Sequence, residues 1–265
     1  MRSANRLAGH SRPALRAARG LWRLSPAEFD RLNALTGRVA QMELKLVVPR
    51  PAGAALGVKL DRAGSRRVYF LDTADLDLER HGVVVRVRSM ARRGDSVIKL
   101  RPALLGDLPD KLRRNKRVTV EVDAMPGAFV CSATLKQRLG PQVVDRAISG
   151  RRPLSTLFTK DQQALFAVCS PAGVRLDDLL LYGPVEVRKA KAVPAGLGRP
   201  LSVEQWTYPD GARILEISTR CAMADSVPVA SRLAATLRAR RIEPSRHQPT
   251  KTRRTLAYFA GRTRS

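Results

Sequence analysis

Four short segments of this chain alternate charged or polar residues with apolar ones: Gln41-Met42-Glu43-Leu44-Lys45, Arg86-Val87-Arg88, Lys99-Leu100-Arg101 and Glu121-Val122-Asp123. In a β-strand, successive side chains point to opposite faces. Each segment, as a strand, sends its charges to one face and its aliphatic residues to the other. A sheet that gathers several such faces has a charged inside and an apolar outside, and the apolar outside needs helices to cover it. This pattern predicts an α+β architecture: an antiparallel β-tunnel or barrel with a polar interior and helices packed outside.

Punctuation along the chain supplies the elements. Ser25-Pro26-Ala27-Glu28 has the N-cap, N1 and N3 residues of a helix start and predicts a short helix to about Leu35. Strands are expected over 39–48, 68–71, 83–90, 97–101 and 117–123. Arg92-Arg93-Gly94-Asp95 is expected to form a hairpin turn. The stretch 128–165 carries helical spacing with caps, with helices expected from Ser132 to Leu139 and from Pro141 to Ile148. Strands resume around 164–168, 174–181, 184–193, 201–207 and 213–219, with Tyr208-Pro209-Asp210-Gly211 as a turn. Val227 to Arg241 reads as an amphipathic helix.

Several function classes are absent from the sequence. There is no phosphate-binding loop, dinucleotide fingerprint, zinc-protease helix or serine-hydrolase elbow. The three cysteines (Cys131, Cys169, Cys221) and three histidines (His10, His81, His247) are scattered, which indicates neither a zinc site nor a disulfide framework. No apolar run is long enough to span a bilayer. With 49 lysines and arginines against 23 acids, the net charge is +26. Such an excess favours phosphate-rich partners; arginine overused on solvated surfaces of a chain rich in Ala, Arg, Gly and Pro would give the same charge. Residues 1–27 hold six arginines and no acid and predict a basic, largely disordered tail.

Lys45, Arg86, Arg88, Lys99 and Arg101 would form a wall of cations on one face of successive strands. A triphosphate carries several negative charges, and arginine binds phosphate bidentately. Glu43, Glu121, Asp123, Glu204 and Glu216 are carboxylates of the kind Mg²⁺ or Mn²⁺ prefers. Glu43 and Lys45 share a face, as do Glu121 and Asp123. Acids and bases that merely pair across strands would give the same pattern. Lys251-Thr252-Arg253 lies beyond the last helix, where Lys251 either folds back over the tunnel mouth or is tail charge.

In their order, these segments resemble the CYTH-like domain family of the triphosphate tunnel metalloenzymes. The opening Glu-x-Glu-x-Lys strand is matched by Gln41-x-Glu43-x-Lys45, and the aromatic-Asp-Thr strand end by Tyr69 to Thr73. Gly82 with Arg86-x-Arg88 matches the next strand. Lys99 before Pro102 and Glu121-x-Asp123 follow in the family's order. Arg188 and Lys189 align with a later basic strand, Glu204 with an acid-bearing strand, and Glu216-x-Ser218 with a last acid pair. The helix at 227–241 and Lys251-Thr252 close the pattern. A rival register would use Asp177 and Glu186 for the last two acid strands.

The resemblance implies an eight-stranded antiparallel tunnel over 38–260, with a helical insert at about 128–163. A tail of 1–37 would precede it and a tail of 261–265 would follow. It implies a metal-dependent phosphohydrolase acting on inorganic, nucleoside or thiamine triphosphate, with ATP cyclisation or non-catalytic polyphosphate binding as alternatives. Glu43 and Lys45 would be catalytic. Lys45, Arg86, Arg88, Lys99, Arg101, Arg188, Lys189 and Lys251 would bind phosphate. Mg²⁺ or Mn²⁺ would lie on Glu43, Glu121, Asp123, Glu204 and Glu216. Two departures weaken metal binding: Gln41 and Ser218 each replace an acid. The expected setting is cytoplasmic, with organellar targeting by residues 1–27, whose composition resembles a transit peptide, as the alternative. No membrane, a monomeric or homodimeric state, and non-specific nucleic-acid contact through the basic tails are expected.

Overall fold

The structure is a computed structural model that describes residues 41–101, 108–126 and 128–263. The helix expected from Ser25 and the basic segment 1–27 lie outside the described residues.

Nine strands form one closed barrel: β1 (Gln41–Val48), β2 (Ser65–Asp72), β3 (Val83–Met90), β4 (Arg93–Leu100), β5 (Thr119–Met125), β6 (Ala128–Leu139), β7 (Leu180–Ala192), β8 (Leu201–Thr207) and β9 (Arg213–Ala222). Their order around the barrel is β1-β5-β6-β4-β3-β2-β7-β8-β9. β1 closes the cylinder, antiparallel to β9 on one side and parallel to β5 on the other. The described helices are α1 (Ala52–Ala55), α2 (Asp77–Arg80), α3 (Asp110–Arg113), α4 (Pro141–Ile148), α5 (Lys160–Cys169), α6 (Ser226–Ala239) and α7 (Lys251–Thr263). None of the described helices is long and apolar enough to cross a membrane.

The closed α+β tunnel follows the expectation, but its strand count and pairing do not. Eight antiparallel strands were expected; the barrel has nine, with one parallel pair. The additional strand is β6, which the helical reading of Ser132 to Leu139 concealed. Cys131, Ala133 and Leu135 pack outward into the apolar layer, while Val130, Thr134 and Lys136 line the bore. That period of two is a strand's, not a helix's.

The reverse error fell on 164–168. This stretch lies in α5, started by a capping box in which Thr159 and Gln162 satisfy each other's backbone amides. Buried Gln162 then donates to the carbonyls of Ser96 and Leu135, fastening α5 to the outside of β4 and β6.

The apolar layer lies outside the barrel, as the inverted alternation requires. Met42, Leu44 and Leu46 of β1 pack with Val229, Leu233 and Leu237 of α6. Val85, Val87 and Ile98 pack with Val144 of α4 and Leu165 of α5. The strand-end motif has a structural task. The buried Asp72 carboxylate accepts from the amides of Thr73, Leu78 and Glu79 at 2.8, 2.8 and 3.0 Å, which turns the chain from β2 into α2. Gly82 follows at φ +72°, where a Cβ would lie 1.7 Å from the Arg101 carbonyl oxygen. Only glycine lets β3 start there.

The 3–4 hairpin turns at Ala91-Arg92, earlier than expected, and Asp95 falls within β4 opposite Arg88. The segment after α6 is not a tail. α7 runs from Lys251 to Thr263, into the stretch expected to be tail, and packs Leu256 against Phe70 and Trp206.

Candidate functional site: a cationic tunnel

The bore is a cavity of about 680 Å³ lined by twelve lysines and arginines and five carboxylates. Its charges fall into three groups, each set by strand register.

The first group centres on Asp123 of β5, placed beside Glu43 by the parallel β1–β5 register. Its carboxylate receives Lys45 at 2.9 Å, Lys99 at 3.0 Å and Arg101 at 3.4 Å. Burial works against the charge, but Lys45, Lys99 and Arg101 outweigh it and hold Asp123 far below the usual carboxylate range. Lys45 also reaches Glu43 at 3.5 Å, and Arg220 lies 3.4 Å from both Glu43 and Glu121. Burial pushes Glu43 up, yet Lys45 and Arg220 bring it below the ordinary value. Burial, then Arg101 alongside, push the Lys99 ammonium down to about 8.

The second group joins β7, β8, β9 and α7. Lys189 reaches Glu204 at 2.9 Å, while Lys251 lies 2.8 Å from Glu204 and 2.6 Å from Glu216. The Trp206 indole donates to Glu204, and its ring faces the Lys251 ammonium at 5.0 Å. Burial opposes the charge on Glu204, but Lys251 and Lys189 dominate and hold it well below the usual range. Lys251 is raised in return: Glu204 and Glu216 overcome the cost of its burial.

The third group is cationic on balance. Arg88 grips Asp95 with two bonds of 2.7 and 2.8 Å, and Lys136 adds a contact at 3.5 Å. Arg86, two residues earlier on the same face, has no ion-pair partner among the described residues, and its buried Nε has no hydrogen bond. Burial, then the neighbouring Arg88, push its guanidinium down to about 10. The Arg101 Nε is likewise unbonded. Arg66, on β2, lines the bore without an ion pair among the described residues. A cation drawn partly out of water without a partner is costly. Arg86 and Arg66, both half-buried and facing one cavity, form a place for an anion.

The bore is not uniformly polar. Val68, Phe70, Val187 and Trp206 form an apolar section of its wall, with the Phe70 and Trp206 rings stacked at 6.4 Å.

Of the residues singled out from sequence, Glu43, Lys45, Arg86, Arg88, Lys99, Arg101, Glu121, Asp123, Lys189, Glu204, Glu216 and Lys251 all line this cavity. Arg188 does not. It has the opposite parity to Lys189 on β7 and points away from the bore, to Glu186 and the Asp61 carbonyl. Asp177 and Glu186, the rival acids, are also elsewhere: Asp177 caps the amide of Ser155, and Glu186 pairs with Arg188. Arg66, Asp95, Lys136 and Arg220 were not singled out. The signal for Arg220 was present, since Glu216-x-Ser218-x-Arg220 continues one alternation.

The carboxylates do not assemble as a metal cage. Among the described residues no three His, Cys, Asp or Glu side chains converge to hold an ion. Instead Lys45 lies between Glu43 and Asp123, Arg220 between Glu43 and Glu121, and Lys251 between Glu204 and Glu216. Ser218, at one lost acid position, donates to Glu43, and Gln41, at the other, is exposed. This donor set, already neutralised by the protein's own cations, does not fit a resident divalent ion.

The same barrel occurs in solved structures. HpAC1 from Hippeastrum, a candidate adenylyl cyclase with a dominant triphosphatase activity, is 16% identical over 83% of this chain and 96% of its own, with a TM-score of 0.59. A candidate adenylate cyclase from Bacillus halodurans is 15% identical over 81% of this chain and 97% of its own, with a TM-score of 0.53. The chain has the CYTH-like fold. No family model and no curated protein matches its sequence. The likeness therefore lies in the CYTH-like barrel, and what its bore does must be argued from its own side chains.

Proposed function

We propose that this chain binds the triphosphate group of a small molecule inside its tunnel, with inorganic, nucleoside or thiamine triphosphate as the ligand class. The observation that carries this reading is Arg86, a half-buried arginine whose buried Nε is unbonded, in a cationic bore with no carboxylate against it. Arg66 and the unbonded edge of Arg101 extend the same anion-seeking surface. Phosphate oxygens would supply charge-assisted hydrogen bonds that the folded chain leaves unmade.

Hydrolysis of the phosphoanhydride is the reaction such a site supports. Phosphoryl transfer depends on positioning and on stabilising charge on the phosphoryl oxygens. Lys45, Lys99, Arg86 and Arg101 would do this. Glu43, held ionised by Lys45 and Arg220, would accept a hydrogen bond from an attacking water. The dominant triphosphatase activity of the Hippeastrum neighbour favours hydrolysis over cyclisation of ATP.

The test is calorimetric titration with tripolyphosphate and ATP, followed by assays for released orthophosphate and for cyclic AMP. Binding with orthophosphate release that Glu43→Gln abolishes supports both statements. Binding without turnover leaves a binding module. Failure to bind any triphosphate overturns the proposal.

A further inference from the structure

The β8–β9 register sets Glu204 directly opposite Glu216. Like charges facing each other across a strand pair repel, and Glu216 is only 4% exposed, so water screens little of it. Something positive must lie between them. It is the ammonium of Lys251, the first residue of α7, at 2.8 Å from one carboxylate and 2.6 Å from the other. The π face of Trp206, at 5.0 Å, covers a further side of the same ammonium. Lys189 satisfies the other oxygen of Glu204.

A divalent ion ligated by this pair would lie about 2.1 Å from each carboxylate oxygen. That is the space Lys251 fills, and two cations cannot share it. The pattern recurs at the other end of the acid set, where Lys45 lies between Glu43 and Asp123.

We infer that the Lys251 ammonium is the resident cation of the Glu204–Glu216 pair, and that the tunnel consequently takes up its oligophosphate ligand without a divalent metal. Glu204 and Glu216 become a divalent-cation site only when Lys251 is removed. The statement about oligophosphate rests on the proposed function; the statement about the cation does not.

Two measurements on the full chain separate them. The first is Mn²⁺ titration followed by electron paramagnetic resonance, with no phosphate present. The wild-type protein leaves the free Mn²⁺ signal undiminished, whereas Lys251→Met removes one equivalent of it and Lys251→Met/Glu216→Gln does not. A wild-type chain that binds an equivalent of Mn²⁺, lost in Glu216→Gln, overturns the assignment. So does a folded Lys251→Met variant that binds none. Should that variant fail to fold, the wild-type titration still decides.

The second is tripolyphosphate calorimetry in EDTA and in Mg²⁺. Affinity in EDTA within about threefold of that in Mg²⁺, or tighter, supports the inference; a threefold ratio is under one kcal/mol. Binding that appears only with Mg²⁺ overturns the inference and leaves the proposed function standing. Absence of binding in both overturns the proposed function, and the Mn²⁺ titration then decides the cation assignment alone.

Discussion

Arg86 and Arg88 stand two residues apart on one face of β3, yet only Arg88 has a carboxylate. Asp95 takes Arg88 with two bonds, and the guanidinium of Arg86 is left facing the cavity. The pair divides one face between building the barrel and receiving a ligand.

Arg86→Met should therefore weaken tripolyphosphate binding by about tenfold to a hundredfold, the range of one or two charge-assisted hydrogen bonds. It should leave the urea midpoint unchanged or raise it, because a desolvated charge is removed. Arg88→Met should lower the midpoint by leaving the buried Asp95 only its 3.5 Å contact with Lys136. Equal loss of stability in the two variants would refute this division.

Asp123 carries the opposite expectation. Asp123→Asn strands Lys99 and Arg101, leaves Lys45 only its 3.5 Å contact with Glu43, and should cost about 3–5 kcal/mol of stability. Tripolyphosphate should restore much of that loss, since it offers the same three cations new oxygens. Thermal unfolding with and without the anion measures both effects.

Lys99 sets a pH dependence. Its folded value near 8 lies below the ordinary lysine value of 10.5. Between these values the unfolded chain binds more protons, so the ligand-free protein gains stability as pH rises from about 8 towards 10.5. Anion binding needs the charged form. Affinity should fall as pH rises through about 8, with a proton taken up on binding near that pH. Lys99→Arg, which stays charged, should abolish the uptake; a wild-type chain that takes up no proton there would count against the assignment.

Acid acts through Glu43 and Glu204. Both are held below 4.5 in the folded chain. Their stabilisation is present above that value and is lost as pH falls through their folded values. Stability should fall below pH 4.5, and Glu204→Gln should flatten part of that fall. An unchanged acid profile in this variant would place the titration elsewhere.

Trp206 offers an optical readout, because its ring faces Lys251 and its indole bonds Glu204. In a Trp22→Phe background, tripolyphosphate should shift Trp206 emission as the surrounding ammonium and carboxylates rearrange. No spectral change at saturating anion would mean that the ligand leaves the second charge group undisturbed.

Most of the bore was legible in sequence because a strand's parity is read directly from alternation. Glu43 with Lys45, Arg86 with Arg88, and Glu121 with Asp123 each share a face for that reason alone. What was missed depended on register or on competing periods. Asp95 looked like turn chemistry beside Gly94, and only the position of the hairpin puts it opposite Arg88. Cys131 to Leu139 ends at Gly140-Pro141, a boundary that suits a helix or a strand, and its period of two was overlooked. Thr159 to Gln162 carried a capping signature that should have ruled out a strand at 164–168. Arg188 and Lys189 are adjacent, so only one of them could face inward, and sequence gave no means of choosing. That the acids pair with lysines and arginines was the cross-strand alternative, and seeing the pairs required distances.

The barrel is sealed by β1 against β9, and the acids of β8 and β9 are quieted by a lysine contributed after both. Without α7, Glu204 would keep only Lys189, and Glu216 would face it across the strand pair with no ammonium between them. The charge pattern of the barrel wall is thus finished by a helix that is not part of it, and a chain cut before Lys251 would carry an acid pair short of its shared ammonium.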